Sequence, residues 1–184
     1  MQDHVRGLIE LLGYDPEDQH MKETPRRYAE VLESFRANGG EAEGDEILQA
    51  VFDDEHDSLV QVGPITVVSA CAHHLLPVTG YAWVGYIPQG HVVGLSKLAR
   101  IVHHFAHQLT VQERVTQNVV DALEHNLKPL GSMCVIEAMH GCMSLRGVQE
   151  AHAVTVTSAV RGVFKDESSA REEFLSLMQN RRTR

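Results

Sequence analysis

The chain has 184 residues, 43% hydrophobic and 22% charged, a balance ordinary for a globular protein and enough for one domain with its own core. A formal net charge of −9 disfavours duplex nucleic acid or an anionic membrane as partner, and no apolar run approaches the ~20 residues of a membrane helix. With no signal-peptide pattern at the start, a cytoplasmic location is expected, and Cys71, Cys134 and Cys142 are expected to bind metal, catalyse or lie buried rather than form a disulfide framework.

Val5, Leu8, Ile9 and Leu12 share one helical face near the start. Thr24 as N-cap, Pro25 at the first helical position and the stripe Tyr28, Val31, Leu32, Phe35 predict a second helix, stopped by "NGG" at 38–40. The acidic "GGEAEGDE" reads as an exposed connection before a short helical piece near "ILQAVF". Strand composition then takes over at 58–70, "SLVQVGPITVVSA", and at 80–88, "GYAWVGYIP". Leu98, Ile101, Val102 and Phe105 predict one long helix, and Val111, Val115, Val119, Ala122 and Leu123 another. "SMCVIEAM" and "HAVTVTSAVRGVF" return to strand, and "SSAREEFLSLMQNRR" closes as a helix. Strands that come in pairs between helices predict an antiparallel α+β fold rather than a parallel α/β sheet. The expected organisation is a single domain over 1–184, with a helical segment at 1–50 and the core at 51–184.

"CAHHLLP" at 71–77 places Cys71 and His74 at C-x2-H spacing, close enough to reach one ion from a turn. "HGC" supplies His140 and Cys142 at the end of a predicted strand, where residues two apart face the same way. Two thiols with imidazole suit Zn²⁺ and argue against Mg²⁺ or Ca²⁺. Four protein ligands would close a structural site, whereas three leave room for water and chemistry. Cys134 lies eight residues before Cys142, ~26 Å along an extended strand, so it does not readily supply the fourth. His73 and His140 remain as either ligands or acid–base groups. The competing reading has both cysteines as small buried residues.

"GLSKLAR" at 94–100 puts Ser96, Lys97 and Arg100 near a helix N-terminus, where cations oppose the helix dipole unless an anion offsets them. Backbone N–H groups, a hydroxyl and two cations there make a phosphate cradle, which Arg146 can join from a neighbouring loop. In "VQER", the Glu113 carboxylate can accept the two parallel N–H bonds that guanine offers, with Gln112 orienting a neighbour. Taken singly, each of these also reads as a solvated charged helix face.

Together, "CAHHLLP", "GYIP", "VVGLSKLARIV", "VQERVT", "IEAMHGCM", "RGVQ", "TVTSAVRGVF" and the "ETPRR" helix resemble the GTP cyclohydrolase I family, in order and spacing, from about residue 5 onward. The resemblance implies a tunnelling fold: a four-stranded antiparallel sheet with helices packed on one side, following an N-terminal helical segment. It implies pentameric rings pairing as homodecamers, with active sites between subunits. It implies Zn²⁺ on Cys71, His74 and Cys142, and acid–base roles for His73 and His140. Ser96, Lys97, Arg100 and Arg146 would then hold the triphosphate, Arg27 would contribute from a neighbouring subunit, and Gln112 and Glu113 would hold guanine. The implied reaction opens the GTP imidazole ring at C8, releases formate and forms 7,8-dihydroneopterin triphosphate.

Three departures stand out. Ala72 occupies a position where the family usually has Glu, Glu30 follows Arg27 by three residues, and His107 and Gln108 replace a stretch that commonly contains Arg. Each makes the surroundings of the expected site less typical of the family. The alternatives are a tunnelling-fold paralogue acting on another purine nucleotide or stopping after ring opening, and a non-catalytic zinc-stabilised assembly. The last would need a fourth protein ligand.

Overall fold

In the computed structural model, which describes residues 1–37 and 40–182, the chain divides into two units, Met1–Arg36 and Ala37–Arg184. Helices α1 (Gln2–Leu11) and α2 (Thr24–Ser34) pack on one another in the first. Val5 and Ile9, one turn apart, are buried, while Leu8 and Leu12 are exposed, so only half of the expected apolar face is covered. Helix α2 starts at Thr24 with Glu23 in the capping position, one residue earlier than expected. Its buried residues are Pro25 and Ala29, and Tyr28 and Val31 of the expected stripe stay exposed in the single chain. Asn38 and Gly39, the first two residues of the expected stop, lie outside the described residues. Arg26 bonds both Glu23 and Glu30, each within one helical turn. Glu30, which the sequence sets three residues from Arg27, is therefore answered by a cation of its own helix.

The second unit runs α3 (Gly40–Ile47), β1 (Val51–Asp53), β2 (Val60–Cys71), β3 (Pro77–Ile87), β4 (His91–Val93), α4 (Leu95–Ala106), β5 (Leu109–Thr110) and α5 (Gln112–Leu127). It continues with β6 (Gly131–His140), α6 (Gly141–Ser144), β7 (Thr155–Gly162), α7 (Val163–Asp166) and α8 (Ser168–Arg182). The main sheet has the order β5-β2-β3-β6-β7, and its four long strands are antiparallel neighbours, as expected. It carries one strand more than expected: β5, two residues long, lies parallel to the end of β2 at Ala70 and Cys71. β1 and β4 form a separate antiparallel pair.

Strand alternation sends Ala82, Val84, Cys134 and Ile136 to the face covered by α4 and α5, where Leu98, Ile101, Val102, Phe105, Val119 and Leu123 meet them. Every apolar position expected for α4 is buried. On the opposite face Trp83, Met133 and Val135 pack with Phe164, Phe174 and Met178 of α7 and α8. The helices are thus not confined to one side, because the closing helix covers one end of the second face. At the other end of that face Val68, Tyr81, Met139 and Val156 remain exposed.

From Gly40 onward the acidic segment is helical as α3 rather than an open connection. Its weak propensity is overridden by packing, since helical stability in proteins comes mainly from tertiary contact. Gly44 lies against Phe105 and Ile101, where a Cβ would come within 3.0 Å of the Phe105 ring. Leu48 is buried, Asn126 Nδ2 donates to Asp45 at 2.6 Å, and His104 Nε2 donates to the Gly40 carbonyl at 2.7 Å. These contacts tie α3 to α4 and α5, within the unit that begins at Ala37.

Candidate metal centre and active site

Cys71 ends β2, and the chain turns sharply straight after it. The Leu75 N–H donates to the Cys71 carbonyl at 2.8 Å and the Cys71 N–H to the Leu76 carbonyl at 2.9 Å, with Leu75 in the left-handed region at φ 56°. This turn brings the His74 ring back over the cysteine, with Nδ1 3.8 Å from Sγ. The C-x2-H spacing works as expected.

The third donor comes from the same end of the sheet, two strands across. β6 pairs with β3 through Val78 and His140, then ends, and Gly141 opens α6. Strand alternation therefore does not place Cys142; the turn into α6 does. A Cβ on Gly141 would lie 3.1 Å from the Pro77 carbonyl and 3.2 Å from the Leu76 Cβ, so glycine lets α6 close on the β2–β3 turn. The donor atoms of Cys71, His74 and Cys142 consequently lie within 4.8 Å of one another. Two sulfurs and an imidazole at that separation fit a zinc ion. Among the described residues no other group of three such side chains meets this condition, and His73, His140 and Cys134 stand outside it. Cys134 is fully buried in the core, where burial pushes its thiol far up.

Around this cluster, His73 is exposed, with Nδ1 4.0 Å from Cys71 Sγ. His140 is half-buried, and burial lowers its pKa against the opposing pull of the Glu113 carboxylate, which favours a neutral ring at pH 7. Glu113 stands exposed in the first turn of α5. Arg146 donates from Nη1 to His74 Nε2 at 2.8 Å. A guanidinium only donates, so Nε2 is the acceptor and the ring proton sits on Nδ1. Were His74 to hold a metal, this contact would be given up and Arg146 would be freed.

Gln112 orients a neighbour, and its side chain is held within the chain instead of standing free for the guanine contact that the resemblance implies. It is buried, its Nε2 donates toward the Ile136 and Thr155 carbonyls and Thr157 Oγ1, and its Oε1 accepts from His140 Nε2 at 2.8 Å. Its amide is used up within the chain, which leaves the base to Glu113. Thr116 and Thr157, which complete this network, were not singled out by the sequence. Their only signal is polar residues on inward-facing positions of α5 and β7.

Ser96, Lys97 and Arg100 are not brought to the cluster. Gly94 holds the capping position of α4 and no side chain caps it, so Ser96 is not the cap. The far end of α4 is the one beside the metal cluster, because Gln108 accepts from the Ala70 N–H at 3.3 Å. Ten residues of helix separate Ser96 from Ala106, roughly 15 Å at ~1.5 Å per residue. Within one chain Ser96 and Lys97 thus lie at the end of α4 away from the Cys–His–Cys group, and Arg100 lies midway along the helix. Arg27 is exposed on α2 of the first unit.

A family model described as GTP cyclohydrolase I matches residues 1–179. The chain belongs to the GTP cyclohydrolase I family. Its relatives include proteins named GTP cyclohydrolase 1 from Gloeobacter violaceus, 48% identical over 100% of this chain and 86% of that one, and from Dictyostelium discoideum, 43% identical over 98% and 78%. The protein of that name from Rattus norvegicus is 43% identical over 95% of this chain and 72% of its own. Among solved structures, the apo archaeosine synthase QueF-Like shares 12% identity at a TM-score of 0.46 over 59% of this chain and 96% of that one. As a member of the GTP cyclohydrolase I family the chain is an enzyme, and its sheet and helices form the family's tunnelling fold. No helix among the described residues is long and apolar enough to cross a membrane.

Proposed function

We propose that the protein is a zinc-dependent GTP cyclohydrolase I that opens the imidazole ring of GTP at C8, releases formate and yields 7,8-dihydroneopterin triphosphate. The observation that carries this reading is a ligand set of three, Cys71, His74 and Cys142, with His140 beside it and outside it. Three protein ligands are the mark of a catalytic rather than a closed structural zinc site. When bound, zinc supplies Lewis-acid activation of water near neutral pH.

The other roles fall to this chain's residues. Glu113 accepts the ring N–H and exocyclic amine of guanine and so sets the base against the cluster. Neutral His140 takes and returns protons at C8 and the opened ring, with His73 as the second, more exposed acid–base group. Arg146, once free of His74, binds a phosphate oxygen. Because Ser96 and Lys97 lie in the first turn of α4, away from the cluster, a neighbouring subunit's copies, with its Arg100, complete the triphosphate site, and Arg27 comes from a further one. The sheet's edges support such an assembly: β2 is paired on its outer side only at Ala70 and Cys71, and β7 has no outer partner among the described residues. Rings of five that pair into decamers would cover these edges and the exposed Val68, Tyr81, Met139 and Val156. We place the protein in the cytoplasm, where GTP is available.

The test is zinc-loaded protein with GTP, followed for formate and for the mass of the pterin product. Formate with dihydroneopterin triphosphate is the expected result. A ring-opened nucleotide that retains C8 would instead assign the chain to a paralogue that stops early, and no reaction with any purine nucleotide would leave a non-catalytic assembly.

Ala72 gives a narrower prediction. It sits exposed between Cys71 and His73, held by its N–H to the Thr110 carbonyl at 3.0 Å. Ala72→Glu is expected to raise formate release severalfold by adding a carboxylate beside the acid–base histidines. Equal turnover in the two proteins would remove position 72 from the account.

A further inference from the structure

The amide of Gln112 has only one orientation compatible with its neighbours. On one side stand the carbonyls of Ile136 at 3.0 Å and Thr155 at 3.1 Å, which can only accept, together with Thr157 Oγ1 at 3.1 Å. The amide nitrogen must face them, its two hydrogens shared among three acceptors. The amide oxygen therefore faces His140, 2.8 Å from Nε2, and an oxygen there can only accept. His140 must donate from Nε2.

The hydroxyls close the arrangement. Thr116 Oγ1 donates to the Gln112 main-chain carbonyl one turn back at 2.9 Å, which uses its single proton. Thr157 Oγ1, 2.6 Å away, must then donate to Thr116, which leaves its lone pairs to accept from the Gln112 amide. Gln112 and Thr116 are both buried, so water does not compete for these bonds.

We propose that Gln112, Thr157 and Thr116 form a directed hydrogen-bond loop that positions His140 and holds its neutral ring as the Nε2–H tautomer, so that Nδ1 carries the lone pair. The loop makes Gln112 a positioning residue and not a base contact. It extends the histidine's support through α5 to β7, away from any group that would touch GTP. The tautomer needs no assumption about activity. Only the kinetic consequence rests on the function proposed above.

The experiment pairs ¹⁵N NMR of the His140 ring with kinetics, in wild type, Thr157→Val and Thr157→Ser. Val keeps the shape of Thr and removes the hydroxyl, while Ser keeps the hydroxyl. In wild-type protein, at a pH where the ring is neutral, Nε2 is expected to give the protonated-nitrogen signal and Nδ1 the unprotonated one, with or without zinc. Thr157→Val is expected to move both signals toward tautomer averaging and to lower kcat roughly tenfold, as loss of a supporting partner does, with the KM for GTP within about twofold. Thr157→Ser is expected to restore both readings. A wild-type ring protonated on Nδ1 would overturn the proposal. So would unchanged signals in Thr157→Val, a defect confined to KM, or a failure of Ser to rescue. Should the wild type not turn over GTP at all, the function proposed above fails while the NMR result still decides the tautomer.

Discussion

Replacing Cys142 with Ser is expected to cut formate release from GTP by ~10³ or more, and to lower zinc content in parallel. The hydroxyl of Ser does not ionise near neutrality, so the site would lose one of two thiolates and keep one sulfur and one imidazole. A zinc ion supplies several kcal/mol of transition-state stabilisation, and at ~1.4 kcal/mol per tenfold the loss of about 4 kcal/mol gives that factor. The fold should survive. Cys142 is only partly buried, in the four-residue α6 at the rim of the core, and Ser is close to it in size. Formate assay, metal analysis and a thermal melt on the same preparation check all three statements. Full turnover in Cys142→Ser would show that this thiol is not part of the machinery.

His140→Ala is expected to separate chemistry from metal binding. The ring lies outside the Cys–His–Cys set, so the variant should keep its zinc while kcat falls by ~10²–10⁴, the range a general acid–base group contributes. Burial already favours the neutral ring that can accept a proton at pH 7, and Glu113 opposes this without cancelling it. The substitution also leaves the Gln112 amide oxygen without its donor, so some loss of stability should accompany the loss of rate. Zinc content measured beside kcat decides the role. A His140→Ala protein that loses its metal would make His140 a ligand, and one that keeps its rate would leave proton transfer to another group.

Much of this architecture is legible in the sequence because hydrophobic periodicity is a direct record of burial. Leu98, Ile101, Val102 and Phe105 are all buried on α4, and Val115, Val119, Ala122 and Leu123 on α5. The four long strands read correctly for the same reason. Helix α3 did not, since its glycine-rich acidic sequence is held helical by Phe105, Ile101 and Asn126, residues some sixty to eighty positions away. The apolar stripe on α2 overstated burial, because Tyr28 and Val31 are apolar without being covered in a single chain.

The site divides in the same way. Cys71 and His74 form a local turn, which spacing reveals. Cys142 does lie with Cys71 and His74, but by another route: a strand end was expected to aim it, whereas Gly141 and the start of α6 do so. Gln112 reads in the sequence as orienting a neighbour, and the resemblance adds a guanine contact, but neither names the neighbour. Its true partners, on β6 and β7, are visible only once those strands are folded beneath it. The separation of Ser96, Lys97 and Arg100 from the cluster was equally hidden, since sequence order says nothing about which end of α4 adjoins β2.

The most direct measurement is a crystal structure of the zinc-loaded protein with data collected across the zinc edge. The expected result is one ion per chain, bound by Cys71 Sγ and Cys142 Sγ at ~2.3 Å and by a His74 ring nitrogen at ~2.0–2.1 Å, with water completing the tetrahedron. A fourth protein side chain on the ion in every subunit, or an ion bound elsewhere with these three side chains apart, would contradict the account.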